Sequence, residues 1–280
     1  MIIAVLIVFG LCLGSFVNAL VWRVREQATE VGRKKPRKDY LKDLSISKGR
    51  SMCPDCHNTL AAKDLVPVFS WLSLKGKCRY CRKPISAQYP IVEAITAALF
   101  VASYVWWPVP INRPIMDAIF VFWLLILTGF MALIVYDLKW MLLPDRIMLP
   151  LTALALVMAG LVVANNSNPK QTIIHKLLAV AVGGGIFYVL FQISQGKWIG
   201  GGDVKLGWLL GLIVGTPAKA LLFIFIAALA GSVISVPMLA SGKMGRTSTI
   251  PFGPFLIIGG IVTMLFGQDL LNWYHHLFYL

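Results

Sequence analysis

Acidic residues are scarce in this chain. Its 280 residues hold 12 Asp and Glu against 26 Lys and Arg, and charged side chains of both signs make up only 14%. A soluble domain carries about 25%, so the composition argues against a water-soluble globular protein. The first apolar run, IIAVLIVFGLCLGSFVNALVW at 2–22, has no basic region before it and no small-residue cleavage site. It reads as a retained membrane span rather than a removed signal peptide. The chain also lacks an internal repeat, a low-complexity tract and any Gly-rich nucleotide-binding βαβ pattern. Cysteine is limited to five, four of them in two close pairs.

What is abundant is apolar sequence: 58% of the residues are hydrophobic and the mean hydropathy is +0.76. Several runs approach the roughly 20 apolar residues that cross a bilayer. They predict spans at 2–22, 91–107, 115–136, 145–164, 176–194, 204–215, 218–239 and 250–267, the sixth being short. The fold class expected is all-α: a polytopic membrane protein of about eight transmembrane helices with a small cytoplasmic zinc-ribbon-like loop domain.

Positive charge is concentrated between Arg23 and Lys83, where sixteen Lys or Arg stand against six Asp or Glu, a net +10. Lying between two spans, this segment is explained by the positive-inside rule; no nucleic-acid partner is expected. With 23–90 cytoplasmic, the N-terminus lies outside. Connections carrying Lys139 and Arg146, Lys197 and Lys205, and Lys243 and Arg246 then also face inward. Outward connections are poorer in charge, Arg113 and Lys170 being exceptions. The basic surface at 23–50 suits anionic lipid. Nothing in the sequence sets an oligomeric state.

Residues 53–56 read CPDC and 78–81 read CRYC, with 21 residues between the pairs. Cys53, Cys56, Cys78 and Cys81 are spaced as the two knuckles of a tetrahedral thiolate zinc site. A cytoplasmic setting keeps the thiols reduced, which favours structural zinc over a disulfide or redox role. Four thiolates leave no open position for a catalytic water. Lys77, Arg79, Arg82 and Lys83 would help offset the charge. Cys12 reads as a small buried apolar residue and His57 as a surface residue.

Within the apolar two-thirds of the chain each acid can be weighed. Asp145, after Pro144, has an N-cap reading, and Glu93 is explained equally by stabilisation of a helix start. Asp137 follows FMALIVY at the inner end of the third span, where the helix dipole disfavours an anion. Capping does not account for it, and an ionisable residue there is a functional hypothesis. Asp203 follows Gly200, Gly201 and Gly202. A cap is one reading of it; three glycines also permit close backbone approach. Two complete spans separate Asp137 from Asp203, so both acids return to the same inner face. Two such carboxylates share a proton and divide general-base and general-acid roles.

At Gly200-Gly201-Gly202-Asp203 the sequence resembles the GxGD intramembrane aspartyl proteases, and within them the bacterial prepilin peptidases. LGSFVNALVWR at 13–23, the paired cysteine motifs, YPIVEAITA at 89–97, YDLKWMLLPD at 136–145 and IPFGPFL at 250–256 match that family's blocks in order. The resemblance implies cleavage of the basic leader of type IV prepilins or type II secretion pseudopilins at the cytoplasmic face of the bacterial inner membrane. It also implies S-adenosylmethionine-dependent methylation of the new N-terminal residue, usually Phe. Its catalytic positions map to Asp137 and Asp203, with Asp145 an alternative or supporting acid. For methylation Gly14, Ser15, Phe16, Asn18 and Glu93 are candidate cofactor-binding residues; helix packing explains Gly14 and Ser15 equally. The expected organisation is a first span at 1–22, the basic tetra-cysteine loop at 23–90 within a methyltransferase-associated region 1–107, a peptidase membrane domain at 108–268 and a tail at 269–280. The rival readings are an ion-coupled transporter and a non-catalytic component of a pilus or secretion machine.

Overall fold

The computed structural model describes all residues except 34, 36, 47, 112, 243–249 and 279–280. Lys243 and Arg246, placed on an inward connection above, lie outside the described residues. The helices are α1 (Ile2–Val31), α2 (Lys38–Asp43), α3 (Phe69–Ser73), α4 (Gln88–Val105), α5 (Pro114–Trp140), α6 (Asp145–Ala164), α7 (Pro169–Ser194), α8 (Gly201–Val214), α9 (Pro217–Ala240) and α10 (Gly253–Phe278). Each predicted span coincides with one long helix or with α8. Among the described residues, seven helices are long and apolar enough to cross a membrane. The sixth predicted span, α8, has 14 residues, a rise of about 21 Å against a hydrocarbon core of about 30 Å. It does not cross by itself.

The chain divides into two compact units, Met1–Val105 and Trp106–Leu280. In the first, α1 packs on α4 through small residues. A β-carbon on Gly10 would meet the Cα of Ala97 at 2.5 Å, and one on Gly14 would meet the Cα of Glu93 at 2.6 Å. Lipid is as apolar as any side chain, so close backbone approach rather than hydrophobic burial holds such helices together. Val17, Val21, Val92 and Phe100 fill the seam. Just past the apolar run, buried Arg23 donates to the carbonyls of Ser45, Ile46 and Gly49, folding the loop back on α1. Cys12 is exposed on the surface of α1. The expectation of a buried thiol is corrected: a small apolar group on this helix suits lipid as well as protein.

In the second unit α5 is the most enclosed span, with Trp123, Ile126, Leu127, Phe130 and Leu133 fully buried. Around it, large apolar side chains such as Leu149, Leu177, Ile193, Phe225 and Val233 are exposed, as expected of lipid-facing helix surfaces. Helix α8 is seated on α7 by glycine. A β-carbon on Gly207 would meet the Gly183 carbonyl at 2.5 Å, and the Ala179 carbonyl crowds Gly211 in the same way. The far end of α8 closes at Gly215, which takes a left-handed φ of 78°. Buried Lys176 of α7 donates to the Leu212 carbonyl there at 3.1 Å. Helix α10 continues past residue 268 to Phe278, because QDLLNWYHHLF keeps helical character after the apolar run ends.

Candidate active site

Asp137 stands in the last turn of α5 and is 5% exposed. The dipole of its own helix disfavours the anion, but a second helix compensates. The backbone N–H of Gly253, first residue of α10, donates to the Asp137 carboxylate. The positive end of α10 therefore faces the acid. The two groups are so close that a β-carbon on Gly253 would come within 2.7 Å of Oδ2. No charge or spacing pattern in the PFGPF segment points to this contact; its only sequence signal is the family block at 250–256.

Asp203 is the third residue of α8, and Gly200 is the N-cap. The Asp203 N–H donates to the Gly200 carbonyl at 3.0 Å, while the Gly200 N–H donates to the Asp203 carboxylate. Helix capping thus explains part of this acid's position. It leaves the carboxylate half-buried beside the exposed Gly200 and Gly201, open to an extended chain. The charge of Asp137 acts directly on Asp203. Leu143 closes the cluster, because its side chain meets both the Cβ position of Gly202, at 3.0 Å, and that of Gly253, at 3.4 Å.

Asp145 is built differently. It is the first residue of α6, after the N-cap Pro144, and makes no side-chain cap. Its Oδ1 instead receives Lys205 Nζ at 2.6 Å, with both side chains about half exposed. The N-cap reading of Asp145 gives way to this ion pair.

The four cysteine sulfurs lie within 4.8 Å of one another. The two knuckles are built alike. His57 and Arg82 follow the second cysteine of each pair with φ of 56° and 60°. Their N–H groups return to the carbonyls of Cys53 and Cys78, each at 3.0 Å. Cys53 and Cys81 are 3.9 Å apart, sulfur to sulfur. A tetrahedron with Zn–S bonds of about 2.3 Å requires about 3.8 Å, so the cluster fits a tetrathiolate metal. As thiols, the four are poised unequally: burial pushes Cys53 up to about 12. At Cys78 burial acts in the same direction but is outweighed by the N–H groups of Cys81 and Tyr80 and by neighbouring thiols, to about 7. Of the expected counter-charges, Arg79 pairs with Asp64, while Lys83 pairs with Asp55 and stays within electrostatic reach of the Cys81 and Cys53 sulfurs. The Lys83–Asp55 pair ties one knuckle to the other.

The residues singled out for methylation converge in the first unit, with one exception. Asn18 donates to the carbonyls of Gly14 and Tyr89 and accepts from Gln88. Glu93 accepts from the Ser15 hydroxyl and, at 2.7 Å, from the Val68 N–H. Phe16 is 42% exposed. Val68 is itself unusual, with φ 61° and ψ −52°. The Phe69 N–H closes on the Pro67 carbonyl at 2.6 Å, making a γ-turn of the rare, strained hand. A branched residue there costs of order 1–3 kcal/mol, while a hydrogen bond to a charged acceptor returns about 1.5–3 kcal/mol. The turn is held on Glu93 by a narrow margin.

The family model described as the bacterial peptidase A24 N-terminal domain matches residues 8–107, and that of the type IV leader peptidase family matches residues 119–236. The chain is 30% identical over 272 residues to a prepilin leader peptidase/N-methyltransferase of Bacillus subtilis, covering 97% of each protein. It is 31% identical over 278 residues to one of Legionella pneumophila, covering 95% of this chain and 92% of that one. It is 34% identical over 264 residues to a type 4 prepilin-like proteins leader peptide-processing enzyme of Escherichia coli, covering 91% and 90%. No solved structure gives a significant match. Matched by both models in order and by such relatives over nearly its whole length, the chain belongs to the type IV leader peptidase family.

Proposed function

We propose that Asp137 and Asp203 perform the family's peptidase reaction in this chain. The family activity is removal of the prepilin leader, and its relatives also carry N-methyltransferase in their names. One observation carries the assignment: Leu143 packs against both Gly202, next to Asp203, and Gly253, whose N–H serves Asp137, so these two acids border one cluster, while Asp145 is tied to Lys205. A carboxylate pair of this kind shares a proton. One member takes a proton from water as it attacks the scissile carbonyl; the other gives a proton to the carbonyl oxygen and then to the leaving amine. Exposed Gly200 and Gly201 offer backbone to an extended substrate beside Asp203. The inner-membrane enzyme is oriented with its N-terminus outside and its acids at the cytoplasmic face, acting on prepilins or pseudopilins.

In the same reading zinc occupies the four-cysteine cluster as a structural ion, S-adenosylmethionine supplies the methyl group, and the basic loop lies on anionic lipid. Region 1–107 is assigned to methylation and 108–268 to cleavage. The test is the conversion of a candidate prepilin by purified protein in lipid, followed by mass analysis. Asp137→Asn and Asp203→Asn should each lose more than about 10²-fold in cleavage. Normal cleavage by either variant would remove the assignment.

A further inference from the structure

Among the described residues of the first unit the side chains of three acids, Glu30, Asp64 and Glu93, are buried, and Asp64 is paired with Arg79. Glu30 is matched by Arg33 and Arg37. Glu93 enters no ion pair among the described residues. Its carboxylate is held by two neutral donors, the Ser15 hydroxyl and the Val68 N–H. The second donor sits on the strained γ-turn, whose relief offsets much of what is lost when the hydrogen bond breaks. A buried carboxylate covered by a strained and replaceable N–H is a site arranged to exchange that donor for another.

The surroundings indicate which donor. Around the turn, Leu65, Val66, Phe69 and Leu72 are exposed, Phe69 to 67%. A buried carboxylate next to a turn flanked by exposed apolar side chains is complementary to a cation carried next to a large apolar side chain. A freshly cleaved chain with an apolar first residue presents that combination, an α-ammonium on an apolar residue. We propose that Glu93 is the seat of the substrate's new N-terminal ammonium for methylation, the ammonium displacing the Val68 N–H. This rests on the N-methyltransferase reading given above.

Glu93 then has a chemical part as well as a binding one. A protonated amine has no lone pair, so methylation requires a proton acceptor. The ammonium passes one proton to the Glu93 carboxylate. The freed nitrogen forms a bond to the methyl carbon of a sulfonium donor as the carbon–sulfur bond breaks, and that electron pair stays on sulfur as a neutral thioether. The positive charge moves from sulfur to the methylated nitrogen, and Glu93 holds the one proton released.

The test uses full-length protein in nanodiscs with a prepilin, S-adenosylmethionine and mass analysis of the product. Glu93→Gln should cleave within about threefold of wild type, which certifies its fold, and should methylate at least about 10²-fold more slowly. A second readout needs no methyl donor. Binding of a mature N-terminal peptide is compared with that of its N-acetylated twin, and wild type should prefer the free amine where Glu93→Gln does not. Should Glu93→Gln fail to accumulate, Val68→Gly decides. Glycine adopts this turn without strain, so its N–H holds Glu93 more firmly and amine binding should weaken by about tenfold with cleavage unchanged. Methylation and amine preference unchanged in Glu93→Gln, or amine binding unchanged in Val68→Gly, overturn the proposal. A wild type that cleaves but transfers no methyl group defeats the methyltransferase reading instead, and the amine preference then judges Glu93 by itself.

Discussion

Gly253 and Asp137 touch: the N–H of the first residue of α10 serves the carboxylate on the last turn of α5, and no β-carbon fits between them. Substitution of Gly253 by Ala must push either α10 or the carboxylate aside. A displacement of about 1 Å in a reacting group costs about 10²-fold. Gly253→Ala should therefore lower kcat for leader cleavage by roughly 10–10²-fold with KM nearly unchanged. Steady-state kinetics on a synthetic prepilin peptide check this, and an unaltered kcat would show that the contact does not position Asp137.

The Asp145–Lys205 pair leads to the opposite expectation. Both side chains are about half exposed, and such pairs contribute about 0.2–1 kcal/mol. Asp145→Asn and Lys205→Met should each retain cleavage within about fivefold and shift the melting temperature slightly. If Asp145→Asn is as inactive as Asp203→Asn, the proton-sharing pair has been assigned to the wrong acids.

These two contacts mark the limit of what the sequence makes legible. Eight apolar runs locate eight helices because length and hydropathy decide membrane insertion locally. The ends drift where polar residues extend a helix, as α1 does through Val31 and α10 through Phe278. Counting spans leads one to expect Asp137 and Asp203 on one face, and Leu143 lying against both Gly202 and Gly253 fits that expectation. That α10 starts at Asp137, or that Lys205 reaches back 60 positions to Asp145, depends on tertiary packing that no local pattern encodes. The left-handed Val68 is likewise invisible, since Pro67 restricts Val66 before it rather than the residue after it.

The sulfur geometry predicts one metal ion per chain. Zinc analysis of protein purified under reducing conditions should give a ratio near one. Cys78→Ser should bring it near zero and open 53–84 to proteolysis, because ligation and folding of such small sites are coupled. Metal-free wild type with an intact, protease-resistant loop would rule out a structural ion.

Lys176 offers a test of how α8 is anchored. A helix ending inside the protein leaves carbonyls without partners, and Lys176 supplies one at Leu212. Lys176→Met removes the donor, leaving a buried acceptor at a cost of about 1–3 kcal/mol. Thermal unfolding in detergent should register the loss, with Lys176→Gln recovering part of it. Equal stability of all three proteins would mean that water or lipid serves the Leu212 carbonyl.

The glycines of α6, α7 and α8 separate packing from propensity. Alanine is the better helix former by about 0.8–1 kcal/mol, so a glycine with free space should gain from replacement. Gly160 and Gly185 have nothing within 4 Å of a new β-carbon, and Gly160→Ala and Gly185→Ala should be neutral or slightly stabilising. Gly207 faces the Gly183 carbonyl at 2.5 Å, and backbone cannot rotate away as a side chain does. Gly207→Ala must separate the two helices, moving the one that carries Asp203. Its melting temperature should fall while the other two hold or rise, and its cleavage rate should fall with it. If all three variants behave alike, helix propensity rather than the α7–α8 seam governs this part of the fold, and Asp203 owes its position to something other than that seam.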